Sequence, residues 1–245
     1  MLWAVIGGSG VLPLIEGFEP VDLPPSRYGR ASAGVRRGRI GGCDVVFLPR
    51  HGVSQRIAPH LINYRANIDT LCALEVRGAV ALNTVGGIAG YADAGRIFVP
   101  RQIIDYTWGR AHTFSDEARL IHADFADPVD EALRLALVDA ARAGGVEVTA
   151  GGGYGCTQGP RFETAAEIER MARDGCDVVG MTAMPEAALA RERGLPYAML
   201  SLVVNPAAGR AVDPFDLTVI ARVAAEGMER MAQLLTAFFD GAAGD

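Results

Sequence analysis

Short apolar runs that stop at glycine, proline or asparagine alternate with amphipathic stretches from end to end of this chain. Trp3-Ala4-Val5-Ile6 runs into Gly7-Gly8-Ser9-Gly10, Cys43 to Leu48 stops at Pro49, and Ala79 to Leu82 leads into Asn83-Thr84-Val85-Gly86-Gly87. Arg96 to Ile104, Val146 to Thr149, Asp177 to Met181 and Tyr197 to Val204 read as further strand regions. Between them, Asn63 to Arg77 has apolar residues at helical spacing and meets Gly78 as a C-terminal cap. Asp127-Pro128 is a helix-opening pair whose helix closes at Gly144-Gly145. Thr164-Ala165-Ala166-Glu167 is a capping-box pattern with Gly175 as its stop, and Pro185 to Arg193 reads as a helix. Asp213-Pro214 announces a last helix, with Ile220, Val223, Ala224, Met228, Met231, Leu235 and Phe238 on one stripe and a frayed tail from Gly241 to Asp245. This alternation predicts an α/β fold, a mostly parallel or mixed β-sheet covered by helices. With 245 residues, no repeat and no linker, a single domain over 1–245 is expected.

The formal net charge of -6 argues against a general nucleic-acid surface. The four cysteines, Cys43, Cys72, Cys156 and Cys176, form no CxxC pair, so a metal knuckle is not expected and they read as reduced thiols in or near the core. Leu2 to Ile6 is cut short by glycines and has no basic region before it, unlike a signal peptide. No apolar run reaches the ~20 residues that span a bilayer. A cytoplasmic protein with no membrane partner is expected.

In sheets of this kind a ligand lies beyond the carboxyl ends of the strands. Several ends carry hydroxylated, charged or amide residues: Ser9, Arg50-His51, Thr84, Thr182 and Asn205. Gly7-Gly8-Ser9-Gly10 can present backbone N–H groups and a hydroxyl to an anion, or it can simply turn the chain. Gly8, Gly10 and Pro13 do not complete a GxGxxG dinucleotide fingerprint, and Val11 breaks a GxSxG nucleophile elbow. Arg50 offers the planar fork that suits phosphate, or it is a solvated loop arginine; His51 alone decides nothing. Thr182 either caps the helix that follows it or faces an anion there. Phe162 is core or a stacking platform for a planar base, and Glu163 at the least favours a helix N-terminus.

Taken in order, Ile6-Gly7-Gly8-Ser9-Gly10, Arg50-His51-Gly52, Asn63-Tyr64-Arg65-Ala66-Asn67, Thr84-Val85-Gly86-Gly87, Gln158-Gly159-Pro160-Arg161-Phe162-Glu163-Thr164 and Gly180-Met181-Thr182-Ala183-Met184-Pro185-Glu186 resemble the trimeric nucleoside phosphorylase family that includes methylthioadenosine phosphorylases. The resemblance spans nearly the whole chain. It implies reversible phosphorolysis: a purine nucleoside and inorganic phosphate give a free base and a sugar 1-phosphate. It also implies Ser9, Arg50, His51, Thr84 and Thr182 at phosphate, Met181 under the sugar and Phe162 stacked on the base. The family assembles as trimers, so a homotrimer or a dimer of trimers is implied, with His122 matching a position that reaches a neighbour's 5′ pocket. Phosphate is a co-substrate, and no cofactor or metal is required.

The base is where this sequence departs from the adenine-specific pattern. Methylthioadenosine phosphorylases typically carry two aspartates after the last strand; Asn205 and Ala207 stand there in this chain. An Asn accepts from a protonated N7 and donates to a 6-oxo group, and Glu163 accepts the N1 proton of hypoxanthine. Adenine N1 is an acceptor and would face Glu163 unpaired, a mismatch that discriminates by as much as ~10⁴ to 10⁵. At the 5′ position all four histidines lie at or before His122, while Phe215, Leu217, Val219 and Ile220 place apolar side chains near the start of the last helix. Together these imply 5′-methylthioinosine as substrate, with Asn205, Arg50 and Thr182 as the principal catalytic residues. The alternatives are methylthioadenosine, inosine or guanosine as substrates, a nucleotide-dependent oxidoreductase, and a non-catalytic nucleoside-binding module.

Overall fold

The computed structural model describes residues 1–8, 14–54, 56–211 and 216–243. Among them the strands are β1 (Leu2–Gly7), β2 (Glu19–Pro20), β3 (Arg36–Ile40), β4 (Cys43–Pro49), β5 (Ala79–Gly87), β6 (Ile97–Val99), β7 (Gln102–Asp105), β8 (Val148–Ala150), β9 (Gly153–Cys156), β10 (Val178–Gly180) and β11 (Tyr197–Pro206). The helices are α1 (Tyr64–Ala73), α2 (Glu131–Ala143), α3 (Ala165–Asp174), α4 (Ala183–Glu192) and α5 (Leu217–Ala242). The expected mixed sheet with helical cover is what forms.

Why the sheet is covered on both faces follows from side-chain alternation. Ala4 and Ile6 of β1, Val46 and Leu48 of β4 and Ala79 and Ala81 of β5 enter one apolar layer, under α1 and α4. Their neighbours Trp3, Val5, Val45, Phe47, Val80 and Leu82 enter the opposite layer, with Leu133 and Leu137 of α2 and Met231, Leu235 and Phe238 of α5.

The sheet runs β2-β3-β4-β1-β5-β10-β9-β7, with β11 also on β5, β6 on β11 and β8 on β6. β4, β1, β5 and β11 are mutually parallel where they pair. On one side, β5 pairs with β1 only as far as Ala81. On that side its next strand partner is β10, antiparallel, at Gly86 and Gly87. Leu82 to Val85 therefore border an opening in the sheet, at the carboxyl ends of β1 and β4, where such folds place ligands.

Local signals explain most helix ends. Thr164 and Glu167 form the reciprocal capping box of α3, and Gly175 closes it with a left-handed φ of 94°. Two expected boundaries are corrected. α1 ends with Leu74 as its cap, because Glu75 itself turns left-handed at φ 53°, so Gly78 is not the cap. α2 starts after Asp130, whose side chain accepts from the Leu133 N–H at 2.8 Å, not at Asp127-Pro128. Pro128 and Val129 are buried in the approach, and the Asp130 N–H is spent on the Tyr197 carbonyl at 2.7 Å. The regular turns of α4 begin at Pro185, since Met184 is non-helical. α5 continues through Gly241 to Ala242, so the expected tail is shorter. Asp213 and Pro214 lie outside the described residues; the visible cap of α5 is Asp216. β2, β3 and β9 were not anticipated: β2 is two residues long, β3 is arginine-rich and β9 is glycine-rich, so none shows the usual apolar signal.

Candidate active site

A cavity of about 600 Å³ opens at the gap beside β5, a size suited to a small-molecule ligand. Arg50, His51, Thr84, Phe162, Glu163, Met181, Thr182 and Asn205, far apart in sequence, all line it. Ser9 and Phe215 fall outside the described residues.

Arg50 leaves the end of β4 and is 1% exposed. Its Nε and Nη2 donate to the two Glu186 carboxylate oxygens at 2.7 and 2.8 Å, and Nη1 donates to the Leu82 carbonyl at 3.2 Å. The Tyr197 hydroxyl donates to the same carboxylate at 2.9 Å. Burial opposes the Arg50 charge, but adjacent Glu186 outweighs it and holds the guanidinium above its ordinary range. This changes the expected geometry: the parallel fork is occupied by Glu186, and only the remaining N–H groups on Nη1 and Nη2 are left for an anion. Glu186 is a functional residue that sequence reasoning passed over, although a carboxylate in the first turn of a helix that stays apolar from there to Ala190 was its signal.

The His51 Nδ1 lies 2.9 Å from the Ile57 carbonyl. A carbonyl only accepts, so Nδ1 carries the proton, and Nε2 of the neutral ring is an acceptor. Burial, assisted by the Arg50 charge, lowers the His51 pKa against the opposing effect of the Ile57 bond.

Thr84 projects into the cavity from the open stretch of β5 and is exposed there. Thr182 occupies the N-cap position of α4, but its hydroxyl caps nothing. It donates instead to Asn83 Oδ1 at 3.1 Å, which settles the capping alternative against it. Met181, beside it, is half-buried against the turn at Gly159, where an added Cβ would stand 2.6 Å from the Met181 sulfur.

Asn205 reaches the cavity through an irregularity in β11, whose register with β5 shifts between Val203 and Asn205. Such a bulge re-aims a side chain. The Asn205 Nδ2 donates to the Pro206 carbonyl at 2.7 Å, so its Oδ1 is the atom left to accept. Phe162 is 56% exposed on the turn before α3, a stacking position rather than a core one. Next to it the Thr157 hydroxyl donates to Glu163 Oε1 at 2.6 Å.

One wall is apolar. Leu217, Ile220, Ala221, Ala224, Ala225 and Met228 line the cavity from one face of α5 at three- and four-residue spacing. Val219 is corrected: 100° of rotation per residue turns it off this face, and it is 45% exposed away from the cavity. His122 is exposed and does not line the cavity.

Arg110, also missed, is 7% exposed beneath the site. Its guanidinium donates to the carbonyls of Thr157, Gln158, Met181 and Met184, to Gln158 Oε1 and to the Tyr64 hydroxyl. Among the described residues no group of three or more His, Cys, Asp or Glu side chains is placed to hold a metal, and no helix is long and apolar enough to cross a membrane.

A cavity at a sheet opening, with basic and hydroxylated groups at one end and an aromatic, a carboxylate and an amide at the other, defines a protein that brings an anion to a planar heterocycle. The family model described as the phosphorylase superfamily matches residues 4–240, and the chain belongs to that family. It is 46% identical over 241 residues to a probable S-methyl-5′-thioinosine phosphorylase of Pseudomonas syringae pv. tomato, covering 96% of both chains. It is 40% identical over 231 residues to the S-methyl-5′-thioadenosine phosphorylase of Pyrococcus furiosus, covering 94% of this chain and 89% of that one. The methylthioadenosine phosphorylase of Schistosoma mansoni in complex with adenine superposes with a TM-score of 0.90 at 28% identity, over 100% of this chain and 92% of that one.

Proposed function

We propose that this chain is a pentosyltransferase that cleaves 5′-methylthioinosine with inorganic phosphate, giving hypoxanthine and 5-methylthioribose 1-phosphate. The observation that carries the base assignment is the bond from Thr157 to Glu163: with Oε1 of this cavity-lining residue occupied by a donor, Oε2 is left to accept a base N1–H. Asn205 Oδ1 accepts from N7 as that atom takes up a proton. At the other end hydrogen phosphate donates its own O–H to Nε2 of neutral His51 and accepts from Arg50 and Thr84, and from Thr182 once that hydroxyl turns from Asn83 Oδ1 to the anion. Met181 lies under the sugar, and the α5 face receives the methylthio group.

The reaction needs little from the protein beyond placement and charge stabilisation. The C1′–N9 bond breaks through an oxocarbenium-like state, a phosphate oxygen bonds C1′ from the opposite face, and the proton lost by hydrogen phosphate balances the one gained by the base. No cofactor takes part. We place the reaction in one domain spanning 1–245, in a cytoplasmic homotrimer or dimer of trimers in which His122 reaches the neighbour's 5′ pocket.

Initial rates with phosphate on methylthioinosine, methylthioadenosine and inosine test this reading. The highest kcat/KM is expected for methylthioinosine. Dominant methylthioadenosine turnover would replace it with the reading that the Pyrococcus relative's name favours.

A further inference from the structure

Glu163 lies in the irregular segment before α3, and a carboxylate there selects a base only if something holds it. Thr157 is built to do so. It follows β9, its N–H donates to the Gly180 carbonyl at 2.8 Å, and its own carbonyl accepts from Arg110 Nη2 at 3.1 Å. Both backbone groups are therefore fixed before the side chain is considered. The residue is 9% exposed, and its hydroxyl is aimed at Glu163 Oε1 at 2.6 Å, with the Gly180 carbonyl a longer 3.4 Å away.

Arg110 supplies the rigidity. None of its hydrogen-bond acceptors among the described residues is a carboxylate; they are carbonyls of residues 157 and 158 on one side and 181 and 184 on the other, with a side-chain amide oxygen and a phenol. A buried guanidinium bound this way ties the segment that anchors Glu163 to the segment that carries Met181 and Thr182. We propose that Thr157, seated by Arg110, is a specificity-determining positioning residue: its hydroxyl locks Glu163 as a pure acceptor toward the base and so excludes a 6-aminopurine. The inference rests on the base reading given above. Without the hydroxyl, Glu163 is free to rotate away from the base edge, and that removes the clash with an unprotonated adenine N1.

The test is kcat/KM for methylthioinosine and methylthioadenosine, with phosphate KM, in wild type, Thr157→Val, Thr157→Ser and Glu163→Gln. Valine keeps the shape and deletes the donor; serine keeps the donor. A hydrogen bond to a charged group is typically strong enough that Thr157→Val should move the methylthioadenosine-to-methylthioinosine ratio about 10-fold or more toward adenine. Thr157→Ser should restore the ratio, and phosphate KM should stay within about two-fold, because the Thr157 hydroxyl bonds Glu163 and the Gly180 carbonyl rather than a side chain of the phosphate end. An unchanged ratio in Thr157→Val while Glu163→Gln shifts it overturns the positioning role and leaves the base reading standing. An unchanged ratio in Glu163→Gln overturns the base reading and the inference with it. A parallel rise in phosphate KM in Thr157→Val, or no recovery with serine, reduces Thr157 to general scaffolding and overturns the proposal.

Discussion

Arg50 and Glu186 show how much of an active site depends on a partner that need not touch substrate. Both are essentially sealed from solvent, and each satisfies the other through two parallel hydrogen bonds. Removing one charge leaves the other buried without compensation, which in comparable pairs costs about 3–5 kcal/mol. Glu186→Gln should therefore lower the denaturation midpoint by a corresponding amount in a urea melt and weaken phosphate binding through a misplaced Arg50. His51 carries a pH prediction. Its folded pKa is lowered by burial, so the unfolded chain takes up a proton first as pH falls. Its contribution to stability is present above the ordinary histidine value and is lost as pH falls through the lowered folded value. An NMR titration should find the His51 ring titrating below the ordinary range, and unfolding free energy should decline through that window. The residue types at the strand ends were legible in the sequence because chemistry at a strand terminus is a local pattern. The pairing of Arg50 with Glu186, 136 positions apart, was not, because only the folded core brings them together.

At the scale of elements, β9 and β10 show a strand pair chosen for thinness. An added Cβ at Gly180 would stand 2.0 Å from the hydroxyl oxygen of Tyr154 and 2.6 Å from its ring carbon Cζ, and that ring is fully buried. A rigid ring in a closed core cannot yield as a flexible side chain would. Gly180→Ala should destabilise the fold by about 1–3 kcal/mol by overpacking and, through Met181 next to it, raise the nucleoside KM; thermal melts and initial rates check the two effects. Here too legibility follows the range of the interaction. The capping box of α3 is closed within four residues and was readable in full. The start of α2 was misplaced because Asp127 and Asp130 are both plausible caps, and the choice is made by Tyr197 on a different strand. The face of α5 was readable as a helical stripe. That its first half lines a cavity rather than core was only partly so, and Val219 fell on the wrong side of that boundary.

For the molecule as a whole, the class of sheet was legible from the alternation of strand and helix, but its order was not. Nothing local in Ala79–Gly87 says that it will serve β1, β10 and β11 at once. The homotrimer proposal belongs at this scale. His122→Ala should leave phosphate KM unchanged and raise KM for methylthioinosine more than for inosine, with light scattering confirming the same trimeric or hexameric mass. A monomeric mass for the active wild-type enzyme would remove His122 from the site.

The opening beside β5 has a further consequence. Exposed strand margins invite other chains to pair with them, and proteins blunt them with charge, brevity or cover. Leu82 to Val85 form such a margin in the interior of the sheet rather than at its rim, with the Leu82 carbonyl already taken by Arg50. A strand side without a strand partner is thereby kept where a phosphate or a nucleoside fits and a second polypeptide does not. The protein holds an unpaired strand margin open to its substrates while denying it to aggregation.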